Sequence, residues 1–197
     1  MRRCWYSEGP KAQVLRCYHG RYSIRRLFKS REVQSNSSTD EVSLAAAFTA
    51  EHHDIDAGIE QYLADTAAPD PRQRAVPLQN AMAALRRHIY LEEEIVFPHL
   101  PKGALMMPLM VMRREHGEIW QRMDALEEIL QDPAGDSTGV EQACAEILVL
   151  LDKHNMKEEP VIYPHMDADL TDQEQEKVLK LLAGGEMPKG WVCEALR

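Results

Sequence analysis

A thirteen-residue stretch occurs twice in this chain, as HIYLEEEIVFPHL at residues 88–100 and as HNMKEEPVIYPHM at residues 154–166. The copies align without a gap, pairing His88 with His154, Glu92 with Glu158, Glu93 with Glu159, Phe97 with Tyr163 and Pro98 with Pro164. A shorter match precedes each copy, EHHDI at residues 51–55 and EHGEI at residues 115–119, and it pairs His52 with His116. The copies of the short element are 64 residues apart and those of the long element 66. One unit, a lone His followed by His-x-x-x-Glu, therefore recurs at nearly one period. A duplicated helix pair enclosing a two-fold symmetric site leaves this trace in a sequence.

Residues four apart on a helix lie one above the other. His88 with Glu92, and His154 with Glu158, would each present an imidazole and a carboxylate on one face. The apolar periodicity supplies the helices. A first helix opens near Thr39 behind the capping box Ser38-x-x-Glu41, with a seam of Leu44, Phe48, His52, Ile55, Ile59 and Tyr62. That register buries His52 and turns Glu51, Asp54 and Asp56 toward the flanks or solvent; His53 falls off the seam. A second helix starts at Pro71 or Pro77 and carries Leu78, Met82, Leu85, His88, Glu92 and Ile95 on its seam. A third follows the PKG break at residues 101–103, with its regular part from about Pro108 and a seam through Leu109, Met112, His116, Ile119 and Met123. The neighbouring Met106, Met107 and Met110 read as core filler with Met112. A fourth helix places Ile147, Leu151, His154 and Glu158 on one face and is expected to kink or end at Pro160. Thr171-x-x-Glu174 is a second capping box, opening a short helix that stops at Gly184-Gly185. The tail beyond it carries Trp191, expected to pack back on the bundle. The fold class is all-α: an up-down-up-down antiparallel four-helix bundle at residues 39–169 with a short extra C-terminal helix and tail at 170–197.

Residues 1–38 hold nine Lys/Arg against two Asp/Glu and read as a basic, flexible arm, a composition shared with organelle presequences. Residues 39–197 hold fourteen Lys/Arg against thirty Asp/Glu, a balance of −16, which argues against nucleic acid as a partner of the folded part. No apolar run reaches the roughly 18 residues of a membrane span. Cys4, Cys17, Cys144 and Cys193 show no CxxC spacing and read as reduced thiols of a cytoplasmic protein.

Four imidazoles and two carboxylates converging inside one bundle are more polar groups than such a core can bury without a partner. A pair of metal ions answers that burden. Imidazole plus carboxylate without thiolate suits iron, with manganese or zinc as substitutes. His52, His88, His116 and His154, with Glu92 and Glu158, are the candidate ligands, giving two bridging carboxylates and two His per metal. His53, Glu93, Glu159 and Trp120 are assigned to the surroundings of the site, with Glu93 and Glu159 as acceptors for histidine N–H groups. Trp120, one turn past His116, is expected to form an aromatic wall beside a vacant coordination position. His99 and His165 lie too far along their helices to share the site.

The lone-His and His-x-x-x-Glu pattern over residues 40–169, with Glu51-His52, His88 to Pro98, Glu115-His116 and His154 to Pro164 as its most specific elements, resembles the hemerythrin-like family, also called the HHE cation-binding domain. The resemblance implies a four-helix bundle with a carboxylate-bridged non-haem di-iron centre, in which His52, His88, His116 and His154 are terminal ligands and Glu92 and Glu158 bridge. The family spans oxygen carriers and sensors, proteins that repair iron-sulfur clusters after nitric oxide damage, and an iron-sensing domain of a ubiquitin ligase. Oxygen carriers place a second histidine where Trp120 stands, and the repair proteins carry adjacent cysteines N-terminally, where this chain has only the separated Cys4 and Cys17. The reading that follows is a di-iron protein that binds or senses a small diatomic ligand, O2 or NO, or iron itself. The alternative class is an enzyme that reduces O2, peroxide or NO, or serves iron-sulfur cluster repair.

Overall fold

The computed structural model describes residues 43–67, 70–131 and 137–197, and the regular structure among them is entirely helical. The helices are α1 (Leu44–Ala64), α2 (Pro71–Leu91), α3 (Lys102–Gln131), α4 (Ser137–Val161), α5 (Tyr163–Asp169) and α6 (Asp172–Leu182). The expected arm at residues 1–38 and the capping box at Ser38 and Glu41 lie outside the described residues. As described, α1 opens at Leu44 with Ser43 as its N-cap, the Ser43 hydroxyl accepting from the Ala46 N–H. Of the two starts open for α2, the structure uses Pro71: Asp70 caps the helix by accepting from Arg72 N at 2.9 Å, and Pro71 needs no amide partner in the first turn. Pro77 is carried inside the helix.

One further boundary differs from expectation. The third helix begins at Lys102 and runs through Pro108, because Leu105 N already bonds to Pro101 O and Gly103 adopts the helical turn. Met106, Met107 and Met110 on its first turns are exposed, whereas Met112 is buried, so three of the four methionines are not core filler. The fourth helix ends beside Pro160, at Val161, as expected, and Tyr163 and Pro164 open α5. The Thr171 and Glu174 capping box forms as read, and Gly184, at φ 145°, takes the chain out of α6 in a conformation that L side chains rarely adopt.

α1 packs along α2 and α3 along α4, while α1 also lies against α4 and α2 against α3. Gly58 permits a close approach of α1 to α2, since a Cβ there would stand 2.9 Å from Ala81 Cβ and 3.0 Å from Pro77 O. The apolar side chains form two layers. One gathers Phe48, Leu91, Val96, Phe97, Met112, Ile162, Tyr163 and Met166, closed by Val178 and Leu182 of α6. The other holds Ile55, Ile59, Met82, Leu85, Ile119, Met123, Ile147 and Leu151, with Trp191, Val192 and Leu196 of the tail packed against it. Each helix passes from one layer to the other at one polar stretch: His52 in α1, His88 and Glu92 at the end of α2, His116 in α3, His154 and Glu158 in α4. The site is thus a polar disc between two apolar slabs, each fully buried Leu, Ile or Phe adding about 1.5–3 kcal/mol to the clamp that holds it. No helix among the described residues is long and apolar enough to cross a membrane.

Candidate metal centre

Helical periodicity delivers each donor to the disc, but α2 changes its winding to do so. After Leu91 the chain makes a π-helical turn, Glu92–Val96, in which the Phe97 N–H reaches back to Glu92 O, and a 3₁₀ turn, Phe97–His99, follows. The wider turn keeps His88 and Glu92 facing inward together while Glu93 swings toward α3, as single π turns at functional sites often do. In the second copy the equivalent stretch stays α-helical, Ile162 N bonding to Glu158 O at 2.7 Å, and breaks only at Ile162.

The six residues read as ligands converge. Nearest donor atoms of His52, His88, Glu92 and Glu158 lie within 4.8 Å of one another, as do those of Glu92, His116, His154 and Glu158. Glu92 and Glu158 belong to both groups, so the two carboxylates sit between two pairs of imidazoles. Glu92 faces both sides: its Oε1 is 3.0 Å from His88 Nε2 and its Oε2 is 3.3 Å from His116 Nε2. Glu158 Oε2 stands 3.1 Å from His154 Nε2 and 3.8 Å from His52 Nε2. All six residues are at most 4% exposed.

The outer nitrogen of every imidazole is held by a carboxylate. His52 Nδ1 meets Glu159 at 3.0 Å, His88 Nδ1 meets Glu51 at 2.9 Å, His116 Nδ1 meets Glu93 at 2.8 Å and His154 Nδ1 meets Glu115 at 3.2 Å. A carboxylate at Nδ1 fixes the proton there and turns Nε2 inward as a lone-pair donor. The pattern follows the duplication. Within each copy the Glu of Glu-His holds the first His of His-x-x-x-Glu, as Glu51 holds His88 and Glu115 holds His154. Across copies the second Glu of the Glu-Glu pair holds the lone His, as Glu93 holds His116 and Glu159 holds His52. Glu51, expected at a flank or in solvent, is instead 4% exposed, because the seam at His52 is wide enough to take its neighbour and because Arg87 supplies a counter-charge at 2.6 Å. Glu115 is likewise paired with Lys157. The signal for both was available in the Glu-His doublets themselves.

Two assigned neighbours are placed elsewhere. His53 is exposed, one residue and ~100° around the helix from His52, so its side chain does not enter the site. Trp120 is buried, but its indole packs against Trp191 at 5.4 Å and beneath the Arg86 guanidinium at 4.8 Å, in the apolar layer and not over the carboxylates. The C-terminal tail draws it there. His99 and His165 pair with Glu174 and Asp169 at the surface.

Besides Glu51 and Glu115, sequence reading missed Tyr163. Its hydroxyl lies 2.9 Å from His52 Nε2, 3.1 Å from His88 Nε2, 3.1 Å from Glu92 Oε1 and 3.4 Å from Glu158 Oε2. Its counterpart Phe97 stacks nearly parallel on His116, 5.9 Å between ring centres at 10°. The Phe-to-Tyr difference between the copies was the only sequence signal.

Charge sets the proton affinities. Burial alone would lower His88, but the Glu92 charge and the Glu51 and Glu92 contacts outweigh it and raise it to about 10. His154 is raised to about 10 in the same way by Glu158 and Glu115. His52 is the exception, pushed down by burial and by neighbouring His88. Burial would raise Glu92, but His88 holds it well below its usual range. The Tyr163 phenol is pushed well above its usual value by burial and by the charges of Glu158 and Glu92. Any cation entering must displace protons from such imidazoles, so its affinity falls as pH falls.

The donor set fits a metal on this structure's own terms. Glu92 Oε2, Glu158 Oε1 and His116 Nε2 are buried without a hydrogen-bond partner among the described residues, the 3.3 Å approach of the first to the last lacking the alignment of a hydrogen bond. Leaving three such atoms unpaired costs about 1–3 kcal/mol each, more for charged groups; coordination satisfies all three at once.

A helical bundle with carboxylate-oriented imidazoles around two shared glutamates defines a cation-binding protein. Residues 43–166 match the family model described as the hemerythrin HHE cation binding domain, and the chain belongs to that family. Among curated proteins it is similar to the iron-sulfur cluster repair protein YtfE of Yersinia pestis (strain Pestoides F) and to that of Yersinia pseudotuberculosis serotype O:1b, 32% identical to each over 65 residues. The match covers 32% of this chain and 29% of each relative, so the chain spans less than a third of their length. No solved structure matches it significantly.

Proposed function

We propose that this protein holds a carboxylate-bridged pair of iron ions and uses it to bind or sense a small diatomic molecule, O2 or NO. His52 and His88 would ligate one iron, His116 and His154 the other, with Glu92 and Glu158 spanning both. Iron of this kind, when bound, supplies reversible one-electron chemistry and open positions for a small ligand. The observation that carries the reading is the carboxylate at Nδ1 of each of four imidazoles, which aims Nε2 at two glutamates that retain unpaired buried oxygens. An up-down-up-down order of α1 to α4 agrees with the contacts: Arg74 near the start of α2 meets Tyr62 near the end of α1, and Arg122 of α3 meets Glu146 of α4 while Glu115 meets His154. The chain itself orients the imidazoles, excludes bulk water by burying all six donors, and supplies the Glu51–Arg87 and Glu115–Lys157 pairs that neutralise the outer carboxylates.

Because the donors are almost fully buried, what reaches them must be small, which favours a diatomic ligand over an organic substrate. The second reading, a role in iron-sulfur cluster repair, is favoured by the likeness to the repair proteins. One experiment separates them. The reduced, iron-loaded protein is prepared anaerobically, then exposed to O2 or, in a separate anaerobic sample, to NO and followed optically, and afterwards supplied with an electron donor or with a damaged iron-sulfur protein. A stoichiometric spectral change without turnover or iron transfer supports binding or sensing; catalytic consumption, or iron delivered to the cluster protein, supports the second reading.

A further inference from the structure

The two halves of the centre are not chemically equal, and Tyr163 makes the difference. A phenol has one proton to donate and two lone pairs to share, yet the Tyr163 oxygen has four polar atoms between 2.9 and 3.4 Å around it, two imidazole nitrogens and one oxygen from each shared glutamate. Four neighbours exceed what a hydroxyl can satisfy. The distances have another meaning: donors bonded to one ion at about 2.1 Å and at right angles to each other stand about 3 Å apart. Tyr163 Oη is therefore spaced from His52, His88, Glu92 and Glu158 as a fifth vertex of the same coordination polyhedron is spaced from the other four.

We infer that Tyr163 is a phenolate ligand to the iron on the His52 and His88 side, and that the iron on the His116 and His154 side has no such ligand. This rests on the di-iron reading above. Phenolate is an established ligand of ferric iron; on ligation the Fe–O bond forms, the phenolic O–H breaks and the proton leaves to solvent. In the other half Phe97 occupies the matching position in the repeat and offers no donor, and there His116 Nε2 and the Glu92 Oε2 that faces it are both buried and unpaired among the described residues. The second iron would thus keep fewer protein donors, and an open coordination position falls to it.

The test is spectroscopic. Iron-loaded, air-oxidised full-length protein is expected to show a visible phenolate-to-iron charge-transfer band, with phenolate ring modes enhanced in resonance Raman on exciting it. Tyr163→Phe, which copies the residue already present at Phe97, is expected to abolish both while iron stays near two per chain. Oxidised protein with two irons and no phenolate modes overturns the ligand and leaves the di-iron reading standing, as do modes that survive in Tyr163→Phe. Failure of the unaltered protein to bind iron overturns both.

Discussion

The half-site around His116 is built more tightly than the half-site around His52, although both descend from the same repeated unit. Glu93, which holds His116, is 5% exposed, and its second oxygen accepts from Glu194 N of the C-terminal tail at 2.7 Å. Glu159, which holds His52, is a third exposed, and the structure gives it no such second tie. The tail also seals that side: Trp191 bonds to Glu94 and packs edge-on against Tyr90 and Trp120, and buried Cys193 follows it. One turn beyond the lone histidines the copies differ again, Trp120 in the core of one half and Asp56, with an unpaired buried oxygen, in the other. A duplicated helix pair fixes where donors point; what covers each half is decided by segments outside the repeat.

The largest expected effect removes what the halves share. Glu92→Gln is expected to drop iron content from two per chain to well below one, because in the proposed centre one side chain serves both ions. Losing a ligand held at about a thousand times its dissociation constant forfeits about 4 kcal/mol, or roughly 10 °C in melting temperature for a chain of this size. His52→Ala is expected to lose mainly one iron, and His53→Ala to keep both. Loss of both ions on His52→Ala, measured by metal analysis, would show that the halves are not separable.

Next in size is the lock on the tighter half. A Cβ at Gly117 would stand 2.8 Å from Ala195 Cβ, so Gly117→Ala should lift the tail from α3 at about 1–3 kcal/mol. Calorimetry should show the lowered melting temperature, and hydrogen exchange should place the loosening at the tail and Glu93, leaving Glu159 unaffected.

The bundle, the six converging residues and the Glu93 and Glu159 contacts were legible in the sequence because they follow from periodicity: a four-residue step sets the shared face and one residue more rotates the second Glu to a neighbouring helix. Glu51 was misplaced because periodicity assigns a carboxylate to a flank and cannot weigh the Arg87 that makes its burial tolerable. Trp120 was misplaced because its partner, Trp191, comes from a tail with no repeat. Tyr163 was passed over because its register depends on where the helix breaks after Pro160, and the π turn of the first copy has no distinct sequence code.

A smaller contrast concerns the outer carboxylates. Glu93→Gln and Glu159→Gln should each weaken iron binding within the 10–100-fold range of such partners, with Glu93→Gln the stronger, since water can replace an exposed acceptor but not a buried one. Equal losses in competitive chelator titrations would erase the proposed difference in rigidity.

The smallest effect tests Asp56. Burial, then Glu60, raises its carboxyl from 3.8 to about 6. A folded value above the unfolded one means the ionised form is penalised in the fold: the penalty is absent below about pH 3.8, grows between there and about pH 6, and is complete above. Asp56→Asn should therefore stabilise the protein at pH 7 by about 1 kcal/mol, discounted for its solvent-facing side, and by nothing near pH 3.5. A gain that persists unchanged into acid would point to packing and not charge.

The most direct measurement is an anaerobic titration of ferrous iron into metal-free, full-length protein, with bound iron quantified after desalting. The duplicated donor set predicts saturation at two irons per chain, and at well below one for Glu92→Gln. Saturation at a single iron, or two irons retained by the Glu92→Gln protein, would contradict a centre held by two glutamates shared between two pairs of histidines.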